Sequence, residues 1–82
     1  MKIRINIALK KSVLDTQGKA IENSLVKNLG YSQIAAVRQG KFIDLEIANN
    51  HQADVAAIVD DICDKLLVNK VIEEYSYQIL TN

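Results

Sequence analysis

The first nine residues alternate without a break: Ile3, Ile5, Ile7 and Leu9 are apolar, and Lys2, Arg4, Asn6 and Ala8 stand between them. Successive side chains of a strand point to opposite faces, so this period of two predicts a strand with one buried face. From about residue 17 the period lengthens. Ala20, Ile21, Leu25 and Leu29 recur at helical spacing, Asp15 and Thr16 are both candidate N-caps, and Gly30 is placed to end the helix. Together they predict a helix over roughly 17–29.

Two runs rich in β-branched residues follow, 34–38 and 41–48, separated by Gln39-Gly40. A two-residue connection containing Gly predicts a hairpin, and hence a second and a third strand. Over 51–67 the helical period returns, with Val55, Ile58, Val59, Ile62 and Leu66 forming the apolar stripe and Asn49 or Asn50 as its cap. Asn69 tolerates a left-handed backbone and suits the stop after this helix, and 71–80 reads as a fourth strand.

The order β-α-β-β-α-β, with no Pro, no linker and no low-complexity tract, predicts one α+β domain over 1–82. The expected architecture is the ferredoxin-like split βαβ: a four-stranded antiparallel sheet in the order 4-1-3-2 with both helices on one face. Such a topology sends the loop after strand one, the central hairpin and the loop before strand four to the same end of the sheet.

Size and charge narrow the function. An 82-residue chain hides only roughly 60–65% of the surface that its unfolded form exposes. Small domains often gain further stability by associating, and Phe42, Ala36 and Ala8, on the sheet face away from the helices, are the expected contact for a homodimer or a dimer of dimers. Ten basic and ten acidic residues cancel, which argues against nucleic acid or an anionic membrane as a partner. The single cysteine makes no internal disulfide, no apolar run reaches 18 residues, and Met-Lys-Ile-Arg alternates at once instead of entering a signal-peptide core. The expected location is the cytoplasm.

Candidate chemistry gathers at the three loops. Lys10, Lys11, Ser12, Asp15, Gln17 and Gly18 crowd a helix N-terminus, where the free N–H groups are either capped by a side chain or left to hold an anion. No GxxxxGK[ST] or GxGxxG accompanies them. Arg38 and Lys41 place two cations at the expected hairpin tip, solvated or gripping an acidic partner. His51 stands without a second ligand at metal spacing and reads as a capping or surface residue. Cys63 reads as a small buried hydrophobe, and Asp60, Asp61 and Asp64 as a solvated acidic face. Tyr75 and Tyr77 share a strand face with Ile79, while Phe42, Asp44 and Glu46 oppose Ile43, Leu45 and Ile47. No nucleophile with a base and no paired carboxylates can be assembled, so catalytic, cofactor and metal sites are not expected on this chain.

Three segments carry a likeness to a known family: Leu9 to Gly18 (LKKSVLDTQG), Val37 to Lys41 (VRQGK) and Cys63 to Tyr77 (CDKLLVNKVIEEYSY). The chain resembles PurS, the small subunit of phosphoribosylformylglycinamidine (FGAM) synthase, over essentially all 82 residues. Thr16, Val68 and Glu74 stand where that family favours Pro, Ala and Asp. The resemblance implies a non-catalytic role in de novo purine synthesis, where formylglycinamide ribonucleotide, ATP and glutamine become formylglycinamidine ribonucleotide. A PurQ glutaminase releases ammonia, a PurL synthetase uses ATP and magnesium, and the small subunit, as a dimer, bridges them. Ammonia would be lost or protonated in bulk water, so the two sites must be held together with a protected route between them. Lys10, Leu14, Asp15, Gln17, Arg38, Lys41 and Asn69 are the residues assigned to that partner contact. A module of ACT type, which binds a small effector between subunits and has the same element order, is the alternative.

Overall fold

The computed structural model describes residues 1–48 and 55–81. Strand β1 (Lys2–Leu9) is the centre of a three-stranded antiparallel sheet, flanked by β2 (Gly40–Glu46) and β3 (Glu73–Thr81) in the order β2-β1-β3. The alternation at the start of the chain dictates this position. Ile3, Ile5 and Ile7 are buried to within 2% of their surface, while their polar neighbours face the other way. Ile5 pairs with Ile43 on one side and with Tyr77 on the other, and Ile3 pairs with Leu45 and Ile79. Directly opposed residues of an antiparallel pair share a face, so one side of the sheet is apolar across its full width.

Helix α1 (Thr16–Asn23) widens into a π turn over Ser24–Asn28 and stops at Gly30, whose φ of 80° is the left-handed conformation that glycine adopts freely. Helix α2 (Val55–Ile62) likewise runs into a π turn over Cys63–Leu67. That turn moves the apolar stripe. An i→i+5 turn, closed here by the Val68 N–H on the Cys63 carbonyl, holds one residue more than an α turn. Val59, Cys63 and Val68 therefore enter the core with Leu67 packed against it, and Leu66, expected in the stripe, is 81% exposed. His51 and the cap candidates Asn49 and Asn50 lie outside the described residues.

The expected second strand does not form: among the described residues the sheet has three strands, not four. Two N–H groups in and beside 34–38 have other acceptors. Val37 donates to Glu22 Oε1 at 3.2 Å and Gln39 to Asp15 Oδ2 at 2.6 Å. The run thus returns along α1 as an irregular segment, and Gly40 starts β2 instead of turning a hairpin. Ala36, expected on the sheet, belongs to this returning segment.

Two further corrections concern ends. The second helix is stopped by Val68 in an extended conformation (φ −127°, ψ 131°), with its side chain in the core, and Asn69 acts through its side chain, accepting from the Val71 N–H at 3.2 Å. Val71 and Ile72 belong to this turn, so the last strand begins at Glu73.

Only one helix contributes to the core. The cluster of Ile3, Ile5, Ile7, Val59, Cys63 and Val68, and the side chains packed on it, include no residue from 10–39. Helix α1 and the returning chain instead form an arm. The molecule measures 50 × 27 × 14 Å with a radius of gyration of 16.4 Å, against about 12 Å for a compact chain of this length. Neither described helix is long and apolar enough to cross a membrane.

Candidate functional site

The arm is joined to the sheet at one end, where the three segments singled out in the sequence meet. Asp15 is the knot. Its carboxylate, 5% exposed, accepts from the Gly18 N–H at 2.9 Å through Oδ1 and from the Gln39 N–H at 2.6 Å through Oδ2. One side chain thereby caps α1 and holds the returning chain. These N–H groups, Gln39 first and Gly18 next, hold the carboxyl below its ordinary pKa, since a carboxylate that accepts two such bonds resists protonation. Of the two readings of this N-terminus, capping is the one observed. Gly18 is required by space: a Cβ there would lie 2.3 Å from Asp15 Oδ2 and 2.8 Å from the Val37 carbonyl oxygen.

Arg38 ties the same strands from the other side. Its Nη2 donates to the carbonyls of Leu9 at 3.2 Å and Lys10 at 3.1 Å, and Nη1 reaches the Val13 carbonyl at 3.4 Å. A planar guanidinium with five donors suits several carbonyls in one turn; an ammonium would not span them. Arg38, although exposed, thus spends its donors on its own chain and shapes the 9–13 loop.

The third segment is attached through backbone and charge. The Lys10 N–H donates to the Ile72 carbonyl at 2.8 Å. Lys41 Nζ lies 3.4 Å from Glu73 Oε2, and Glu73 Oε1 accepts from the Asn69 N–H at 2.8 Å. That N–H first, and Lys41 after it, hold the Glu73 carboxyl below its ordinary range. Gln39 Nε2 donates to Gln17 Oε1 at 2.9 Å. Between these groups an open cleft of about 350 Å³ is lined by Asp15, Gln17, Gln39, Lys41 and Glu73.

All seven residues assigned to partner contact therefore lie at this end, but they divide by role. Asp15, Arg38 and Asn69 spend their polar atoms on backbone groups and fix the loops, whereas Leu14, 71% exposed, lies open to solvent and Lys10 is half-buried. Two residues passed over individually belong here as well. Val71 is 81% exposed beside the Lys10–Ile72 link, and Glu73 joins the second and third segments. The sequence signal for Glu73 was its place four residues after Asn69, the reach of a turn closed by a side chain.

Elsewhere the polar groups are satisfied locally. On the outer face of the sheet Arg4 makes a two-pronged pair with Asp44, at 2.9 and 3.1 Å, and lies 4.2 Å from the ring centroid of Phe42. The acidic face of α2 is paired instead of merely solvated: Asp61 with Lys65, Asp64 with Lys70, and Asp60 with the Tyr75 hydroxyl. Cys63 is fully buried, and burial first, with Asp60 second, pushes its thiol up, away from the reactive thiolate.

Comparison with known proteins agrees with these motifs. Residues 2–81 match the family model PurS, phosphoribosylformylglycinamidine (FGAM) synthase. The chain is 38% identical over 78 residues to the FGAM synthase subunit PurS of Bacillus subtilis (strain 168), covering 95% of this chain and 90% of that one. A crystal structure of B. subtilis PurS superposes with a TM-score of 0.81 at 39% identity, over 94% of both chains. A chain in the structure of PurLQS from Thermotoga maritima superposes with a TM-score of 0.77 at 34% identity, over 96% of this chain and 95% of that one. The tied loop end, the element order and the match across nearly every residue together place this chain in the PurS family of FGAM synthase subunits.

Proposed function

We propose that the chain is a non-catalytic small subunit that holds a PurL-like synthetase and a PurQ-like glutaminase together, so that ammonia passes from one to the other without entering bulk water. It works as a homodimer or a dimer of dimers in the cytoplasm. It carries no cofactor of its own, and ATP with magnesium is used by the synthetase. The name PurLQS of the T. maritima assembly supports three kinds of subunit acting together. We read the fold as the ferredoxin-like split βαβ without its second strand.

The observation that carries this reading is the division of labour at the loop end. Asp15 and Arg38 join the first loop to the returning chain, the Lys10–Ile72 and Lys41–Glu73 links add the third loop, and Lys11, Leu14 and Val71 are left exposed beside them. A rigid presentation of exposed apolar side chains beside a cation is what a protein contact needs, because little ordering entropy remains to be lost on binding.

The test is reconstitution with a synthetase and a glutaminase. Lys11→Glu with Leu14→Asp alters the outside of the surface and leaves the tying residues alone, so the variant keeps its fold by circular dichroism. Glutamine-dependent synthesis should fall at least about tenfold, the effect of losing some 1.4 kcal/mol of contact. Synthesis supplied with ammonium salt should fall far less, because it does not need the glutaminase in place. Equal loss of both activities, or full retention of the first, would overturn the docking role of this end.

A further inference from the structure

The loop between α2 and β3 is closed on itself. The Asn69 carbonyl accepts from the Ile72 N–H at 3.0 Å and from the Glu73 N–H at 2.7 Å, and the Asn69 side chain accepts from the Val71 N–H at 3.2 Å. In return the Asn69 N–H donates to Glu73 Oε1 at 2.8 Å. Each end of the turn thus bonds the other through main chain and side chain alike. Two links fasten the turn to its surroundings: Glu73 Oε2 lies 3.4 Å from Lys41 Nζ at the start of β2, and the Ile72 carbonyl accepts from the Lys10 N–H at 2.8 Å.

Val71 stands in this fixed turn, 81% exposed and outside the core. Nearby, Lys10 and Lys11 have no carboxylate partner among the described residues. Asp15 is spent on backbone N–H groups, Glu73 on Asn69 and Lys41, and Glu74 pairs with Ala8 on the outer face of the sheet. The third loop therefore adds an apolar tip to an end that keeps unpaired positive charge, which fits an apolar partner surface rimmed by carboxylates.

We infer that Glu73 is a positioning residue for docking of the glutaminase: its Oε1 sets the Asn69–Glu73 turn, and the turn sets Val71 against the partner. The inference rests on the function proposed above, which holds the glutaminase at this end through the neighbouring Lys11 and Leu14. The role belongs to the acceptor and not to the charge. Oε1 accepts one backbone N–H across a fixed span, whereas Lys41 is 59% exposed and its pair with Oε2 is of the surface kind that contributes little. An amide oxygen in the place of Oε1 closes the same turn.

The test titrates the full chain into a synthetase and a glutaminase and follows glutamine-dependent synthesis, which separates the concentration giving half the maximal rate from that rate itself. Val71→Asp should raise the half-maximal concentration about tenfold and leave the maximal rate unchanged, as the loss of one well-placed contact does. Glu73→Ala should raise it as much, and Glu73→Gln, which keeps an acceptor for the Asn69 N–H, should stay within about twofold of the unaltered chain. Combining Glu73→Ala with Val71→Asp should add no more than about twofold to either, because a residue and the one that positions it act as a unit. If Glu73→Ala does not fold by circular dichroism, Glu73→Asp, one methylene short of the Asn69 N–H, takes its place. Val71→Asp docking at full affinity, losses that multiply in the double variant, or a Gln variant as weak as Ala would each overturn the positioning role. Lys11→Glu with Leu14→Asp reports separately on the docking end: if that variant docks normally the proposed function fails, and if it alone loses docking only the part given to Glu73 fails.

Discussion

At the scale of single residues, Asp15 does the most. It caps a helix, fixes a returning chain and keeps its negative charge because both carboxylate oxygens accept backbone N–H bonds. A carboxyl whose folded pKa lies below its unfolded value near 4 contributes stability that is fully present above the unfolded value. The contribution is lost as pH falls through the depressed folded value. Glu73, Glu22 and Asp44 are lowered in the same direction, Glu73 chiefly by the Asn69 N–H and the other two chiefly by Lys19 and Arg4. Calorimetry from about pH 7 down to about pH 3 should therefore show a melting temperature steady at first and falling below about pH 4. Asp15→Asn, whose NH2 would face one of the two N–H donors, should melt lower at neutral pH and fall less steeply with acid. An unchanged acid profile in the variant would remove Asp15 from this account.

At the scale of elements, the π turn after α2 is where a helical wheel fails. The stripe Val55, Ile58, Val59, Ile62 points on to Leu66, but the extra residue in the turn delivers Leu67 to the core and Leu66 to solvent. Leu67→Ala should cost about 1–2 kcal/mol in a denaturant titration, the lower range for a partly buried leucine. Leu66→Ala should change stability by no more than about 0.5 kcal/mol. The reverse order would mean that the helix continues regularly to its end. The missing second strand belongs to the same scale. Residues 34–38 have strand-like side chains, yet Val37 and the adjoining Gln39 donate to acceptors that lie 15 and 24 residues away on α1 and its cap. Periodicity does not report such acceptors.

At the scale of the molecule, one chain builds its core with one of its two described helices and leaves the arm bare, and the self-association proposed above should add to its stability. A complex that forms only from folded chains stabilises them by mass action. Raising the protein concentration about 100-fold should therefore raise the melting temperature by several degrees, the shift expected from a gain of roughly 1–2 kcal/mol in so small a domain. A melting temperature independent of concentration would mean that the single chain is stable with its arm uncovered. At this scale, too, membership of the PurS family separates the chain from effector-binding modules of similar element order.

The amino-acid sequence by itself determined the central strand, the two helices, the last strand and the α+β class, because each rests on a local period of side chains along an extended or helical backbone. It also determined the family, and with it which three segments matter, since Leu9 to Gly18, Val37 to Lys41 and Cys63 to Tyr77 are particular residues in particular order. Their meeting at one end followed from strand directions alone. The tertiary structure decided the rest. Whether Arg38 grips a partner or its own loop depends on which carbonyls surround it, and whether 34–38 pairs with β2 depends on the competing acceptors of Glu22 and Asp15. Whether helix α1 lies on its own sheet depends on where the root of the arm is pinned. Each is a choice among partners distant in the chain, fixed by packing and hydrogen bonding in three dimensions, and a one-dimensional pattern of apolar and polar residues carries no record of it.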